Sequence, residues 1–248
     1  MGLATLVSLA VPFTKPKLTV SEELFDRNLQ HVSSVDGAVQ HVKEMAGPKP
    51  SNAQLAQAAD MFVRERFADG YSHFRFDQNW LAYLAGFIWD DLRVPVLPDA
   101  ILKYRRGACS QQAIVFQAIM ARFGIEYASV LFPGHFASAA RINRDWIYFD
   151  PHLEADQSRL WPVSALHTAE GPKAIYGDRP QYAYIQSIAG RSTLADINRF
   201  PAPRGAMFET VTGFLSKFGW AFFLMLWALS GAAPFRRAAG ARTGVATT

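Results

Sequence analysis

The sequence predicts an α+β fold, in which several helices precede an antiparallel sheet. Apolar residues recur every three to four positions up to residue 123, and from residue 125 onward they fall in short runs separated by two-residue turns. Helices followed by hairpins are typical of α+β domains rather than of doubly wound folds. The chain has 248 residues, of which 50% are hydrophobic and 19% charged, so it has enough apolar mass for a core.

The first segment is an apolar stretch over residues 2–13, within an expected N-terminal arm over residues 1–20. Twelve apolar positions are too few to cross a bilayer. No basic residue precedes the stretch and no small-residue cleavage site follows it, so it fits a secretory signal poorly. We expect it to form a strand or an extended arm packed on the core.

Helices are expected next over residues 21–45, 51–70 and 78–92. A further helix is predicted from Cys109 to about residue 123, with Gly124 as its C-terminal stop. These segments supply the helical part of the predicted α+β fold.

Three strands are predicted to follow, over residues 125–132, 135–142 and 145–150. Pro133-Gly134 and Asn143-Arg144 separate them, and the second pair is suited to a two-residue hairpin. Such a hairpin places residue 137 roughly opposite residue 150. The strands therefore form an antiparallel sheet.

The C-terminal part contains an uncharged run over residues 218–235, rich in Phe, Leu and Trp. Eighteen residues are enough for a short membrane span, and Lys217 and Arg236 lie just outside it. We therefore expect a transmembrane helix and a single-pass C-terminal anchor; a buried core helix is the alternative. Basic residues balance on the two sides, so the orientation stays open.

The expected organisation is an arm over residues 1–20, a main domain over 21–205 with its core at 75–155, a probable transmembrane helix over 206–235, and a basic and polar tail over 236–248. Residues from 153 to 205 are irregular and either wrap the domain or form a lid.

Charge and cysteine content exclude several classes of function. The net charge is only +4, and no run of Lys and Arg is interleaved with aromatic residues, so no nucleic-acid partner is expected. The one cysteine, Cys109, rules out a disulfide within the chain and any zinc site built on paired cysteines. His152 and Glu154 follow no ligand-spacing rule, so we expect neither a metal nor a cofactor.

Cys109 is the candidate nucleophile. It follows Gly107 at the predicted start of a helix, where unpaired N–H groups and a partial positive charge favour the thiolate. Arg105 and Arg106 act in the same direction if they point inward. The alternative is a small buried cysteine, which the polar residues around it make less fitting.

His135 and Asp150 are candidates for the base and for the group that orients it. His135 begins a predicted strand, and Asp150 ends the next one, so the hairpin brings them together. Taken singly, each fits a structural role: a strand-end histidine, and an aspartate that begins a turn before Pro151. Together with Cys109 they form a nucleophile, a base and an orienting carboxylate.

This block resembles the bacterial-type core of the transglutaminase-like superfamily, which comprises papain-related cysteine enzymes. The matching motifs are Arg106–Cys109, Phe123–Ile125, His135–Ala137 and the ending from Trp146 to Asp150-Pro151. The resemblance implies a papain-like core and the roles of nucleophile, base and orienter for the three residues above. The backbone N–H of the nucleophile is the first oxyanion donor to consider, and the side-chain candidates are Gln111, Gln112 and Trp80.

The sequence thus predicts a membrane-anchored cysteine enzyme that acts on amide or peptide bonds of a protein or peptide substrate through a Cys109 thioester. Hydrolysis is slightly favoured over transfer to an amine, by the resemblance alone. One alternative is a non-catalytic, membrane-tethered binding module with the same fold. Another is an acyltransferase of the arylamine acetyltransferase type, suggested by the Arg-x-Gly-x-Cys pattern at residues 105–109.

Overall fold

The computed structural model describes residues 24–178 and 182–240. The predicted arm over residues 1–20 lies outside the described residues, as does the last part of the tail, from 241 to 248.

Helices and strands are numbered here in chain order. The helices are α1 (Val35–Ala46), α2 (Asn52–Arg66), α3 (Trp80–Ala85), α4 (Pro98–Ile101), α5 (Cys109–Arg122), α6 (Gly171–Tyr176), α7 (Ala183–Ile188) and α8 (Pro203–Gly240). The strands are β1 (Ala68–Asp69), β2 (Arg106–Gly107), β3 (Tyr127–Phe132), β4 (His135–Ile142), β5 (Asp145–Phe149) and β6 (Thr193–Ala195). The mixture of helices and an antiparallel sheet agrees with the predicted α+β class.

The described residues divide into two compact units. The first contains residues 24–72 and 96–201, and the second contains residues 73–95 and 202–240. Helices α3 and α8 belong to the second unit, and the other elements belong to the first.

Helices α1 and α2 of the first unit begin at capping residues that are visible in the sequence. The Ser34 hydroxyl accepts from Gly37 N at the start of α1, and Ser51 forms a reciprocal capping box with Gln54 at the start of α2. The sequence left open whether Gly37 divides the expected helix over residues 21–45 in two; in its described part a 3-10 helix at Arg27–His31 precedes α1, which starts at residue 35 and runs through Gly37. At the end of α5, Gly124 has φ +68°, the left-handed conformation of a helix stop.

The main sheet has the order β5-β4-β3-β6, and all of its neighbours are antiparallel. Between β4 and β5, Asn143 and Arg144 both have positive φ, as a two-residue hairpin turn requires. The register pairs Ile142 with Asp145 and Ser138 with Phe149, so residue 137 lies opposite residue 150. The predicted hairpin register is confirmed.

The sheet of the first unit is covered on both faces. On one face, Phe116 of α5 packs against Phe149 with ring centroids 5.0 Å apart, and the buried Gln117 donates to Ser138 Oγ at 3.1 Å. On the other face, buried residues of the segment from 153 to 190 pack against Val130 and Tyr148. This segment, irregular in the sequence, also supplies α6 and α7.

Helix α3 of the second unit is shorter than the predicted helix over residues 78–92. The Asn79 side chain accepts from Ala82 N and starts the helix at residue 80. The chain turns back after it: a Cβ at Gly86 would lie 2.8 to 2.9 Å from side-chain atoms of Arg93. Gly86 itself keeps helical backbone angles, and the chain continues from it in single hydrogen-bonded turns to Trp89, so the regular helix ends at Ala85.

Helix α8 covers the predicted transmembrane segment. Within the described part of the chain, no helix is long and apolar enough to cross a membrane. The expected apolar C-terminal helix over residues 206–235 is therefore not found there, and its described part includes the polar Glu209, Thr212 and Lys217. The side chains at 220, 222, 223 and 229–240 lie outside the described set.

Candidate active site

Cys109 is the first residue of α5 and is partly exposed. The strand before it, β2, pairs in parallel with β1, and Gly107 lies opposite Asp69. A Cβ at Gly107 would meet the Phe67 ring at 3.0 Å, so a larger residue here would displace the chain two residues before the thiol. Close packing of β2 therefore sets the position of the nucleophile.

Two buried glutamines hold the loop that leads to Cys109. Gln111 Oε1 accepts from Ala108 N at 3.2 Å and from Ser72 N at 3.1 Å. Gln112 Nε2 donates to the Gly107 carbonyl at 2.8 Å. Both oxyanion candidates thus have a positioning role in this geometry.

The other oxyanion candidates are the Cys109 backbone N–H and the Trp80 side chain. The Cys109 N–H is in the first turn of α5, where amides have no carbonyl partner within their own helix. Trp80 is the first residue of α3 and belongs to the second unit.

His135 and Asp150 are in direct contact. His135 Nε2 lies 2.8 Å from Asp150 Oδ2, and both side chains are fully buried. Gly134, with φ +79°, turns the chain so that β4 starts at His135, and the hairpin register brings the residue after β5 to it. The predicted meeting of these two residues is confirmed.

Burial and neighbouring charges shift the pKa values of His135 and Asp150 in opposite directions. Burial by itself lowers the pKa of His135, but the charge and hydrogen bond of Asp150, followed by contact with Cys109, raise that pKa well above its ordinary value. For Asp150, burial raises the pKa, but His135, His152 and Tyr176 outweigh it and hold the pKa below its usual range. The pair is therefore stable as imidazolium and carboxylate.

The second ring nitrogen of His135, Nδ1, is not engaged by Asp150. Because Nε2 is bound to Asp150, Nδ1 is the atom left for Cys109, whose side chain acts on the same imidazole. Nδ1 is buried, and within the described residues it has no partner at full hydrogen-bond geometry. The order Cys109, His135, Asp150 is that of a nucleophile, a base and an orienting carboxylate.

Two tyrosines missed by the sequence analysis complete the surroundings of Asp150. The Tyr148 hydroxyl lies 3.0 Å and the Tyr176 hydroxyl 2.7 Å from Asp150 Oδ2, and Leu153 N donates to Oδ1 at 3.2 Å. Tyr148 could have been found, because it precedes Asp150 by two residues on the same strand face. Tyr176 has no such local signal.

A second histidine–aspartate pair lies beside the pair of His135 and Asp150. His152 Nε2 lies 2.9 Å from Asp69 Oδ1, and the rings of His135 and His152 are 5.8 Å apart. Over the described residues, no three His, Cys, Asp or Glu side chains form a group that could hold a metal ion. The pair links β1, beside the nucleophile loop, to the turn after Asp150.

Comparisons with known proteins returned no match. No family model matches the chain, and neither a curated protein nor a solved structure does. The resemblance to the transglutaminase-like superfamily thus rests on the sequence motifs alone.

Proposed function

We propose that this chain is a cysteine enzyme of the transglutaminase-like type that cleaves amide or peptide bonds through Cys109. The observation that carries the proposal is the fully buried 2.8 Å contact between His135 Nε2 and Asp150 Oδ2. This contact leaves the other ring nitrogen for a partly exposed thiol at a helix N-terminus. A buried, strongly perturbed ion pair beside a partly exposed thiol is typical of functional sites.

The first half of the reaction forms a thioester. The Cys109 thiolate attacks the carbonyl carbon of the amide, and the carbonyl π electrons move to the oxygen. The Cys109 backbone N–H donates to the resulting oxyanion. When the C–N bond breaks, the His135 imidazolium transfers its Nδ1 proton to the departing amine.

The second half releases the acyl group. His135 removes a proton from a water molecule as its oxygen attacks the thioester, and the C–S bond then breaks. The products are a carboxylic acid and the restored thiolate–imidazolium pair. An amine in place of water would give a new amide; the resemblance slightly favours hydrolysis.

We also propose that the chain attaches to a membrane through residues 218–235. Four consecutive large apolar side chains of α8 are 45 to 74% exposed: Leu224, Met225, Leu226 and Trp227. Four successive residues cover the whole circumference of a helix, so a partner on one side cannot cover all of them. A lipid environment covers them together.

The test of the catalytic proposal is the rate at which iodoacetamide alkylates Cys109 as a function of pH. Because Cys109 is the one cysteine in the sequence, every alkylation event reports on it. We expect alkylation at pH 6 to be about tenfold faster than that of a free thiol with its pKa of about 8.5. His135→Ala should lose this acceleration. A slow thiol that is indifferent to His135 would refute the catalytic proposal and favour the binding module.

A further inference from the structure

We infer that Tyr148 and Tyr176 are interchangeable positioning residues, either of which can donate a hydroxyl hydrogen bond to the Asp150 carboxylate. This inference rests on the proposed function for its catalytic meaning. Its evidence is the juxtaposition of three oxygen atoms beneath His135.

Three short contacts join these oxygens. Tyr176 Oη lies 2.7 Å and Tyr148 Oη lies 3.0 Å from the same carboxylate oxygen, Asp150 Oδ2. The two hydroxyl oxygens lie 2.6 Å from each other. All three side chains are buried, with residue exposures of 0 to 4%.

The contacts outnumber the protons that can make them. Each tyrosine has one hydroxyl proton, and an ionised carboxylate has none. Burial, followed by the Asp150 charge, raises the pKa of both tyrosines well above the ordinary value, so both keep their protons. Only two of the three contacts can be hydrogen bonds at one time.

The two shortest distances select one arrangement. Tyr148 donates to Tyr176, and Tyr176 donates to Asp150. The reverse arrangement, in which Tyr176 donates to Tyr148 and Tyr148 donates to Asp150, needs only rotation of two hydroxyl groups. In both, Asp150 Oδ2 receives one hydroxyl proton in addition to the His135 N–H, and Leu153 N–H serves the other oxygen.

The charged groups around Asp150 explain why a hydroxyl proton donated to its carboxylate is important. Asp150 faces His135 on β4, His152 in the turn after β5, and Asp60 on α2. Asp60 is a second buried carboxylate, and its negative charge repels that of Asp150. The positive charge of Arg64, which pairs with Asp60, offsets part of this repulsion. Hydrogen bonds to the ionised form therefore help hold Asp150 as an anion in a buried site.

Interchangeable donors predict strong non-additivity between the two tyrosines. In Tyr176→Phe, the Tyr148 proton turns to Asp150, and in Tyr148→Phe the Tyr176 proton already points there. Each single variant should change the alkylation rate of Cys109 by no more than about twofold. The double variant leaves Asp150 with no hydroxyl donor, so the acid limb of the alkylation profile should move to higher pH by about one unit.

The experiment compares pH profiles of alkylation for the wild type, the two single variants and the double variant. Tyr127→Phe, on β3 outside this network, is the matched control and should leave the profile unchanged. A double variant whose shift is merely the sum of the two single shifts, or that does not shift, would overturn the inference. His135→Ala, measured in parallel, reports separately on the proposed function.

A second measurement uses only the single variants and does not depend on thiol reactivity. Proton NMR of the buried hydroxyls should show the Tyr148 signal moving downfield in Tyr176→Phe, because its acceptor changes from a neutral hydroxyl to a carboxylate. An unchanged Tyr148 signal would contradict the exchange of donors. A downfield shift in a protein whose thiol is not accelerated would support the donor pair and refute the catalytic proposal.

Discussion

At the scale of single residues, the ionised forms of His135 and Asp150 are the main electrostatic feature of the candidate site. Neither side chain is accessible to water, so each depends on the other and on nearby donors for its ionised form. The raised pKa of His135 and the lowered pKa of Asp150 both mean that the ionised pair stabilises the folded state. The pair therefore links the proposed catalysis to the stability of the fold.

Asp150→Asn should destabilise the protein in a pH-dependent way. The lowered pKa of Asp150 gives stability that is present above its unfolded value of 3.8 and is lost as the pH falls through the folded value. The raised pKa of His135 gives stability that is complete below 6.5 and is lost as the pH rises through the folded value. We expect the loss of unfolding free energy in the variant to be large near pH 6 and to shrink under strongly acidic conditions. Denaturant unfolding at several pH values measures it.

The control for this prediction is Asp156→Asn. Asp156 is exposed and its carboxylate accepts from Ser158 N and Oγ, so the same change of carboxylate to amide should have a small effect there. A loss in Asp150→Asn that is constant from pH 3 to pH 8 would show that packing, and not the ion pair, explains it.

At the scale of elements, hydrogen bonds between α2 and the segment that leads to β2 help set the position of Cys109, the candidate nucleophile. Arg66, at the end of α2, is buried and donates to the carbonyls of Leu102 and Tyr104, the latter at 2.9 Å. A third bond, from Nε to the Val32 carbonyl, measures 3.1 Å. One side chain thus satisfies two backbone acceptors between α4 and β2 and a third, at Val32, just before α1.

Arg66→Met should cost about 3 kcal/mol of unfolding free energy, because it keeps most of the apolar volume but leaves buried carbonyls without donors. It should also lower the alkylation rate of Cys109, since the loop toward β2 loses its support. Denaturant unfolding and the alkylation assay measure the two effects.

Arg75→Met, at an exposed arginine paired with Asp77, is the matched control. Equal stability losses in both variants would contradict the supporting role of Arg66.

At the scale of the whole molecule, the described chain separates into a unit that holds the candidate site and a unit built on α3 and α8. Within the second unit, Asn79 bonds to Thr212 and Ser216 of α8, each at 2.9 Å. Beyond these contacts, α8 continues to the exposed apolar residues from 224 to 227. The proposed membrane attachment is a property of this unit.

The full-length chain should float with phospholipid vesicles in a density gradient. Trp227→Glu should reduce the bound fraction several-fold, because a carboxylate within the apolar run opposes burial in lipid. Thr210→Glu, at an exposed polar position of the same helix, is the control and should bind like the wild type. Equal binding by all three proteins, or no binding by the wild type, would refute attachment through this segment.

The sequence predicted the parts of the fold that depend on local signals. The cap at Ser51, the stop at Gly124 and the Asn143-Arg144 turn are present where the pattern predicted them, whereas Ser21, the other expected serine cap, lies outside the described residues. The helix predicted over residues 78–92 was too long, since after Ala85 the chain continues in single turns and a short 3-10 helix at Asp90–Arg93. For the segment from 153 to 205 the sequence left a wrap around the domain and a lid both open, and in the structure its buried residues up to 189 pack against one face of the sheet.

For the site, the sequence by itself determined that Cys109 begins a helix and that His135 and Asp150 meet. The first follows from helix periodicity and the second from hairpin register, and both depend on neighbours close in the chain. Only the tertiary structure decided that Tyr176, 26 residues from Asp150, donates to it, and that Asp69 pairs with His152, 83 residues away. Such contacts result from packing between distant segments, where no local period specifies which side chains meet.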